Sequence, residues 1–185
     1  AVFQTGPESQ TEMKFDFLHV VPPQGPFEFL AKSPLADANG FCAVDKGTTQ
    51  HVKYPNVFGI GDASSLPTSK TAAATVSQAT VASSNMLDFM AGRAFSKSYN
   101  GYAGCPIVVS NKAAIMAEFG YDGVPMESLR FMDQRKPSRL WSHMKRDAFP
   151  TMYWWGILTG LWRGPSMICD IPAVYNGGKA SALRA

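Results

Sequence analysis

Tyr54-Pro-Asn-Val-Phe-Gly-Ile-Gly-Asp62, followed a short way on by Lys70-Thr-Ala-Ala-Ala74, decides how this chain is read. The apolar run Tyr54 to Ile60 predicts a strand, and Gly59 and Gly61 close it and let backbone approach a ligand. Asp62 stands at the carboxyl end of that strand, the edge where doubly wound sheets bind cofactors, and can accept hydrogen bonds from sugar or ribityl hydroxyls. Lys70, Thr71 and Ala72 open a helix whose first turn is sterically bare. Its N–H groups and partial positive charge suit an anionic edge, such as the pyrimidine side of a reduced flavin, and Lys70 adds a full charge. A tight turn with an aspartate cap accounts for Gly-x-Gly-Asp equally well on its own; the helix start at the right distance favours a cofactor.

Working outward, the spacing of Val76, Ala79, Ser83, Leu87 and Met90 predicts a helix from Thr71 to Met90 with a narrow packing face, capped by Thr68 or Ser69 and ended by Gly92. Upstream, residues 1–14 read as a linker or frayed end, Phe15 to Val21 as a buried strand stopped by Pro22-Pro23, and Gly40 to Asp45 as a short strand. Downstream, Tyr102 to Ser110 and Lys112 to Phe119 read as paired strands, with Pro106 placing the first at an edge or bend. Arg139 to Ala148 is an amphipathic helix with Arg139, Lys145 and Arg146 on a basic face. Pro150 breaks it, and Thr151 to Trp162 is apolar and aromatic. At about a dozen residues that segment falls short of the roughly 20 needed to cross a bilayer.

The chain has 185 residues with 45% hydrophobic content, enough for a sizeable core. Its 17 basic and 14 acidic side chains include no long basic run, which excludes a nucleic-acid stripe and leaves an anionic lipid surface as a partner. Cys42, Cys105 and Cys169 have no CxxC spacing and make an odd count, arguing against a metal site and a secreted disulfide scaffold. The amino terminus reads as neither signal nor transit peptide, so an organellar targeting segment is expected to be gone. His51 and His143 read as exposed, His19 as a strand histidine, and Asp122, Glu127 and Asp133 as solvated loop charges.

The run Tyr54 to Ala74 resembles the flavin-contacting segment of mitochondrial-type sulfide:quinone oxidoreductases. Leu18-His-Val-Val-Pro-Pro, Ser33-Pro-Leu-Ala-Asp, Val44-Asp-Lys, Gly101-Tyr-Ala-Gly-Cys-Pro, Ala117-Glu-Phe and Tyr153-Trp stand in that family's order. The resemblance implies the last part of a two-dinucleotide-domain flavoprotein: an incomplete doubly wound α/β fold over 15–98, an interface sheet over 99–136, membrane and quinone-site helices over 137–168, and a tail from 169. The family's Gly-x-Gly-x-x-Gly fingerprint for the FAD pyrophosphate has no counterpart here. A separate chain or a larger complex is therefore expected to supply the amino-terminal half.

On residue type alone Cys105 reads as a small buried hydrophobe, like Cys42 and Cys169. The resemblance instead makes it the second redox cysteine, bridged to one in the upstream half. Hydrosulfide opens the bridge, and the Cys105 thiolate passes two electrons to FAD, with ubiquinone as acceptor. The resemblance also implies a monotopic contact with the mitochondrial inner membrane, made by the tail, with Phe149, Tyr153, Trp154 and Trp155 at the quinone and membrane side. Two other readings stay open: an inactive accessory subunit of a respiratory membrane complex, and a piece of a type-two NADH:quinone oxidoreductase, which has no need of Cys105.

Overall fold

The computed structural model describes residues 1–129 and 132–164; Cys169 and the tail beyond it lie outside the described residues. Among those residues the chain is mixed α/β, with two small antiparallel sheets. The amino terminus, read as a linker, is an exposed hairpin of β1 (Val2–Gln4) and β2 (Gln10–Glu12). Residues 15–21 form no strand and lie exposed, because no neighbouring backbone among the described residues offers them a ladder. A single helical turn, α1 (Glu28–Ala31), follows.

Neither expected strand around 40–45 and 54–60 forms. Isolated bridges replace them, Cys42 to Ser64, Val44 to His51 and Gln50 to Phe58. Their backbone groups bond to scattered single partners instead of one neighbouring strand, Cys42 N–H to Ala63, Ala43 to Leu35 and Gly59 to Thr49, and side chains fix the turns between them. Asp45 Oδ1 accepts the N–H of Gly47 at 3.0 Å and of Thr48 at 2.8 Å. His51 is buried, not exposed: its Nδ1 accepts the N–H of Lys53 at 2.9 Å and of Tyr54 at 3.1 Å. With Nδ1 an acceptor twice over, Nε2 carries the proton and donates to the Leu35 carbonyl at 3.0 Å.

Helix α2 (Ala72–Met90) is the longest element. Thr71, rather than Thr68 or Ser69, caps it, its hydroxyl accepting from the Ala74 N–H at 3.2 Å. Gly92, at φ +66°, ends it in a Schellman arrangement: the N–H of Gly92 bonds Phe89 and that of Arg93 bonds Asp88. The packing face differs from the one expected. Ala74, Gln78, Val81, Ala82, Asn85 and Asp88 are buried, while Leu87 and Met90 are exposed. The inward polar groups are needed because the loops packed there have backbone to satisfy. Asn85 Nδ2 donates to the carbonyls of Thr48 and Lys97, and its Oδ1 accepts the Lys97 N–H.

Strands β3 (Ala103–Ser110) and β4 (Ala113–Phe119) pair antiparallel with a bulge near Val109, and Pro106 stands in an edge strand as expected. One core joins α2 to this region through Leu66, Val81, Tyr99, Tyr102 and Met126. A second joins the buried face of β4 to the tail through Ala114, Met116 and Trp141. The tail does not break at Pro150. It runs through α3 (Arg139–His143), a π turn (Met144–Ala148), α4 (Phe149–Met152) and a second π turn (Tyr153–Ile157). Widening the helix just before Pro150 relieves its ring of the clash that would otherwise kink the chain. The Thr151 hydroxyl donates to the Asp147 carbonyl at 3.3 Å.

Candidate functional site

The two signature glycines serve different ends. A Cβ on Gly59 would meet Val44 Cγ1 at 2.9 Å and Cys42 Sγ at 3.0 Å, so its smallness is consumed by packing inside the protein. Gly61 has φ +65°, a left-handed conformation that favours glycine, and opens the 3-10 turn Gly61–Ala63. Its N–H donates 2.7 Å to Gln78 Oε1 on α2, which docks the turn on the helix. Asp62 follows and is exposed, its carboxylate presented outward.

Lys70 lies beside the same turn. Its Nζ donates 2.6 Å to the Ser64 carbonyl and sits 4.7 Å above the Phe41 ring. Partial burial pushes its pKa down, opposed by the charges of Asp62 and Asp37. Thr71 caps α2, and Ala72 is exposed at the helix start, where the N–H groups of the first turn have no carbonyl one turn back to meet. Asp62, Lys70, Thr71 and Ala72 thus gather at one end of α2. An exposed carboxylate, a cation and a bare helix start fit the ribityl and pyrimidine parts of a flavin. Nothing in the chain matches the glycine fingerprint for its pyrophosphate.

Cys105 is exposed, and the buried-hydrophobe reading is corrected. Strand alternation explains this: Ala114, Met116 and Glu118 of β4 face inward, and Cys105, paired with Ala117, faces the other way. Cys42 is buried, and burial pushes its thiol pKa up, which leaves it unreactive, as expected. Ala103 and Phe119 share the outward face with Cys105 and line a cleft of about 650 Å³, closed opposite by the loop at 66–69. That loop is tied to the base of β3 by the Thr68 hydroxyl, which donates 2.8 Å to the Gly101 carbonyl. The thiol strand and the Lys70 loop are therefore neighbours.

The tail candidates divide. Tyr153, Trp154 and Trp155 are exposed, with the first two rings in edge contact at 5.2 Å. Phe149 packs against the Trp141 core. Of the basic residues, Arg146 is engaged: its guanidinium donates to both Asp147 carboxylate oxygens at 2.8 Å, while Arg139 and Lys145 are exposed. The pairing holds the Asp147 carboxyl down at about 2. Asp133 is also not a free charge, since Arg135 and Lys136 bridge it and hold its pKa down, while burial raises that of Glu127. No helix among the described residues is long and apolar enough to cross a membrane. The residues that sequence reasoning missed are Gln78, Tyr99, Thr68 and Glu118. Only Gln78 had a signal, a faint one: it stands seven residues before Asn85 on one helix, a spacing passed over when only apolar positions were counted.

No protein-family model matches the chain. It is 49% identical over 169 residues to the mitochondrial sulfide:quinone oxidoreductase of Dictyostelium discoideum, covering 91% of this chain and 37% of that protein. Identity to the Schizosaccharomyces pombe protein of the same name is 49%, over 83% of this chain and 34% of the other. Identity to the Mus musculus protein is 44%, with the same coverages of 83% and 34%. Among solved structures, a chain of the cryo-EM structure of the Tetrahymena thermophila mitochondrial ATP synthase superposes with a TM-score of 0.70 at 25% identity, over 85% of this chain and 38% of that one. This chain is a homologue of the mitochondrial sulfide:quinone oxidoreductases over most of its own length and about a third of theirs.

Proposed function

We propose that this chain supplies the flavin-ring side and one redox thiol of a sulfide:quinone oxidoreductase in mitochondria, within a doubly wound flavoprotein fold. The remaining parts, the pyrophosphate-binding glycines and the second cysteine, come from the rest of the fold, whichever polypeptide carries it. The observation that carries this reading is the outward-facing Cys105 on a strand whose base is bonded to the loop before Lys70.

A flavin, if held there by Asp62, Lys70, Thr71 and Ala72, would supply two-electron redox chemistry between a thiolate and a quinone. The work of this chain is to place groups around it. Asp62 accepts from the ribityl hydroxyls, and Lys70 with the start of α2 stabilises negative charge on the pyrimidine edge. When hydrosulfide attacks the upstream sulfur of a disulfide to Cys105, that S–S bond breaks, a persulfide S–S bond forms upstream, and Cys105 leaves as the thiolate holding the electron pair. Tyr153, Trp154 and Trp155 give the tail an aromatic surface suited to the headgroup zone of the inner membrane, where a lipid-soluble quinone is met.

The visible spectrum of the native particle containing this chain tests the proposal. Oxidised flavin absorbance near about 450 nm, on the order of one flavin per copy, is expected, bleached by hydrosulfide and no longer bleached in Cys105→Ser. Absence of flavin sinks the enzymatic reading. The likeness to a chain found in an ATP synthase structure favours a second reading for that outcome: an inactive accessory subunit of a mitochondrial membrane complex, docked through its tail.

A further inference from the structure

Between the Gly61–Ala63 turn and the strand that carries Cys105 there is no ladder of backbone hydrogen bonds. Two buried side chains span the gap instead. Gln78 is 2% exposed and Tyr99 4%. Gln78 Oε1 accepts the Gly61 N–H at 2.7 Å, and Gln78 Nε2 donates to the Tyr99 hydroxyl at 3.2 Å. The Tyr99 hydroxyl in turn donates 2.6 Å to the Tyr102 carbonyl, one residue before β3 begins. The bonding admits one orientation of the amide. The Gly61 N–H requires an oxygen, so the nitrogen must face Tyr99. Burial also pushes the Tyr99 phenol pKa up, which keeps its proton available for Tyr102. Beyond Tyr102 the chain of bonds continues: its hydroxyl donates to Glu118, which lies on the inward face of β4.

We propose that Gln78 and Tyr99 are positioning residues, a tether that fixes the Gly61–Ala63 turn and Asp62 relative to the strand bearing Cys105. For catalysis this rests on the flavin reading above, since a ribityl group held by Asp62 and an electron pair arriving from Cys105 must keep a constant offset. The Gln78–Tyr99 and Tyr99–Tyr102 links are buried and the Gly61–Gln78 link is part-buried, so a lost partner is poorly replaced by water and cutting one link loosens the far end.

The test uses the full chain in its native assembly, with Gln78→Met, Tyr99→Phe and, as control, Asn85→Leu, which removes a buried amide from the same helix without touching the tether. Two readouts need no flavin: hydrogen exchange of the Gly61 amide and, after reduction, the rate at which iodoacetamide labels Cys105, located by mass spectrometry. Tyr99→Phe should speed Gly61 exchange roughly tenfold although both of that amide's own bonding atoms remain, and Gln78→Met should change Cys105 labelling severalfold. Asn85→Leu should change neither. Gly61 exchange unchanged in Tyr99→Phe, or an equal change in Asn85→Leu, overturns the tether. Where the particle holds flavin, hydrosulfide bleaching should slow about tenfold in both tether variants at undiminished flavin content. Wild-type bleaching in such variants overturns the positioning role. A particle without flavin sinks the enzymatic reading alone, and exchange and labelling then decide the tether by themselves.

Discussion

Helix α2 and the tail helix invert the usual arrangement of side chains in opposite ways. The first turns Gln78, Asn85 and Asp88 inward, while the second turns Tyr153, Trp154 and Trp155 outward. Gln78, Asn85 and Asp88 each have partners within this chain: the Gly61 amide, the loop at 96–97, the carbonyl of Thr48. They replace the backbone ladders that the surrounding loops lack. For the outward aromatic groups of the tail, the described residues provide no comparable cover. One inversion is explained by the chain itself, and the other points to a surface beyond it.

The comparison can be broken most forcefully at Trp141, the residue that anchors the tail while its neighbours face out. Trp141→Ala should cost about 3–5 kcal/mol, read as a shift in the denaturant midpoint, because the side chain is fully buried among Met116, Met144 and Phe149. A cost near zero would mean that the tail is not docked on the hairpin. Asn85→Leu should cost about 2–3 kcal/mol, since it removes the partner of two carbonyls and an N–H that are part-buried against the helix. If leucine proved neutral, the inward polar face would owe nothing to loop satisfaction.

Asp88 sharpens the same point through pH. The Ser96 hydrogen bond first, and then Arg93, hold its carboxyl below the ordinary value of about 3.9. A folded-state pKa below the unfolded one contributes stability that is present above about pH 3.9 and is lost as pH falls through the folded value. Unfolding free energies measured from pH 5 down to pH 2 should fall less steeply in Asp88→Asn than in the parent. Parallel curves would remove Asp88 from the account of acid sensitivity.

The smallest effect on stability is expected where the second inversion lies. Trp154→Ser with Trp155→Ser should change the unfolding free energy by no more than about 0.5 kcal/mol each. Sedimentation with anionic phospholipid vesicles should nonetheless fall about tenfold. A variant that binds vesicles as the parent does would leave the aromatic face to a protein partner.

Much of the candidate site was legible in the sequence because turn and cap chemistry is local. The helix opening near Lys70-Thr71-Ala72 and its end at Gly92 were legible, though the cap is Thr71 and the left-handed turn at Gly61 was not foreseen. The hairpin of β3 and β4 was legible for the same reason, being two adjacent runs that pair without distant help. The strands expected at 15–21, 40–45 and 54–60 were not safe expectations. An apolar run states that a segment can be buried, whereas a strand also needs one continuous neighbour, and the backbone at 40–45 and 57–59 bonds to scattered partners at Leu35, Thr49, Gln50 and Ala63 instead.

The sequence by itself therefore determined the extent of α2, the β3–β4 hairpin and the relationship to sulfide:quinone oxidoreductases. Only the tertiary structure decided which face of α2 is buried, since hydrophobic periodicity cannot register an amide that is buried because a distant loop needs it. It alone turned Cys105 outward, because strand alternation fixes two faces but only the packing of Trp141 against Ala114 and Met116 chooses the inner one. It alone revealed Gln78 and Tyr99 as a link between turn and thiol strand, 21 residues apart along the chain and 3.2 Å apart in space.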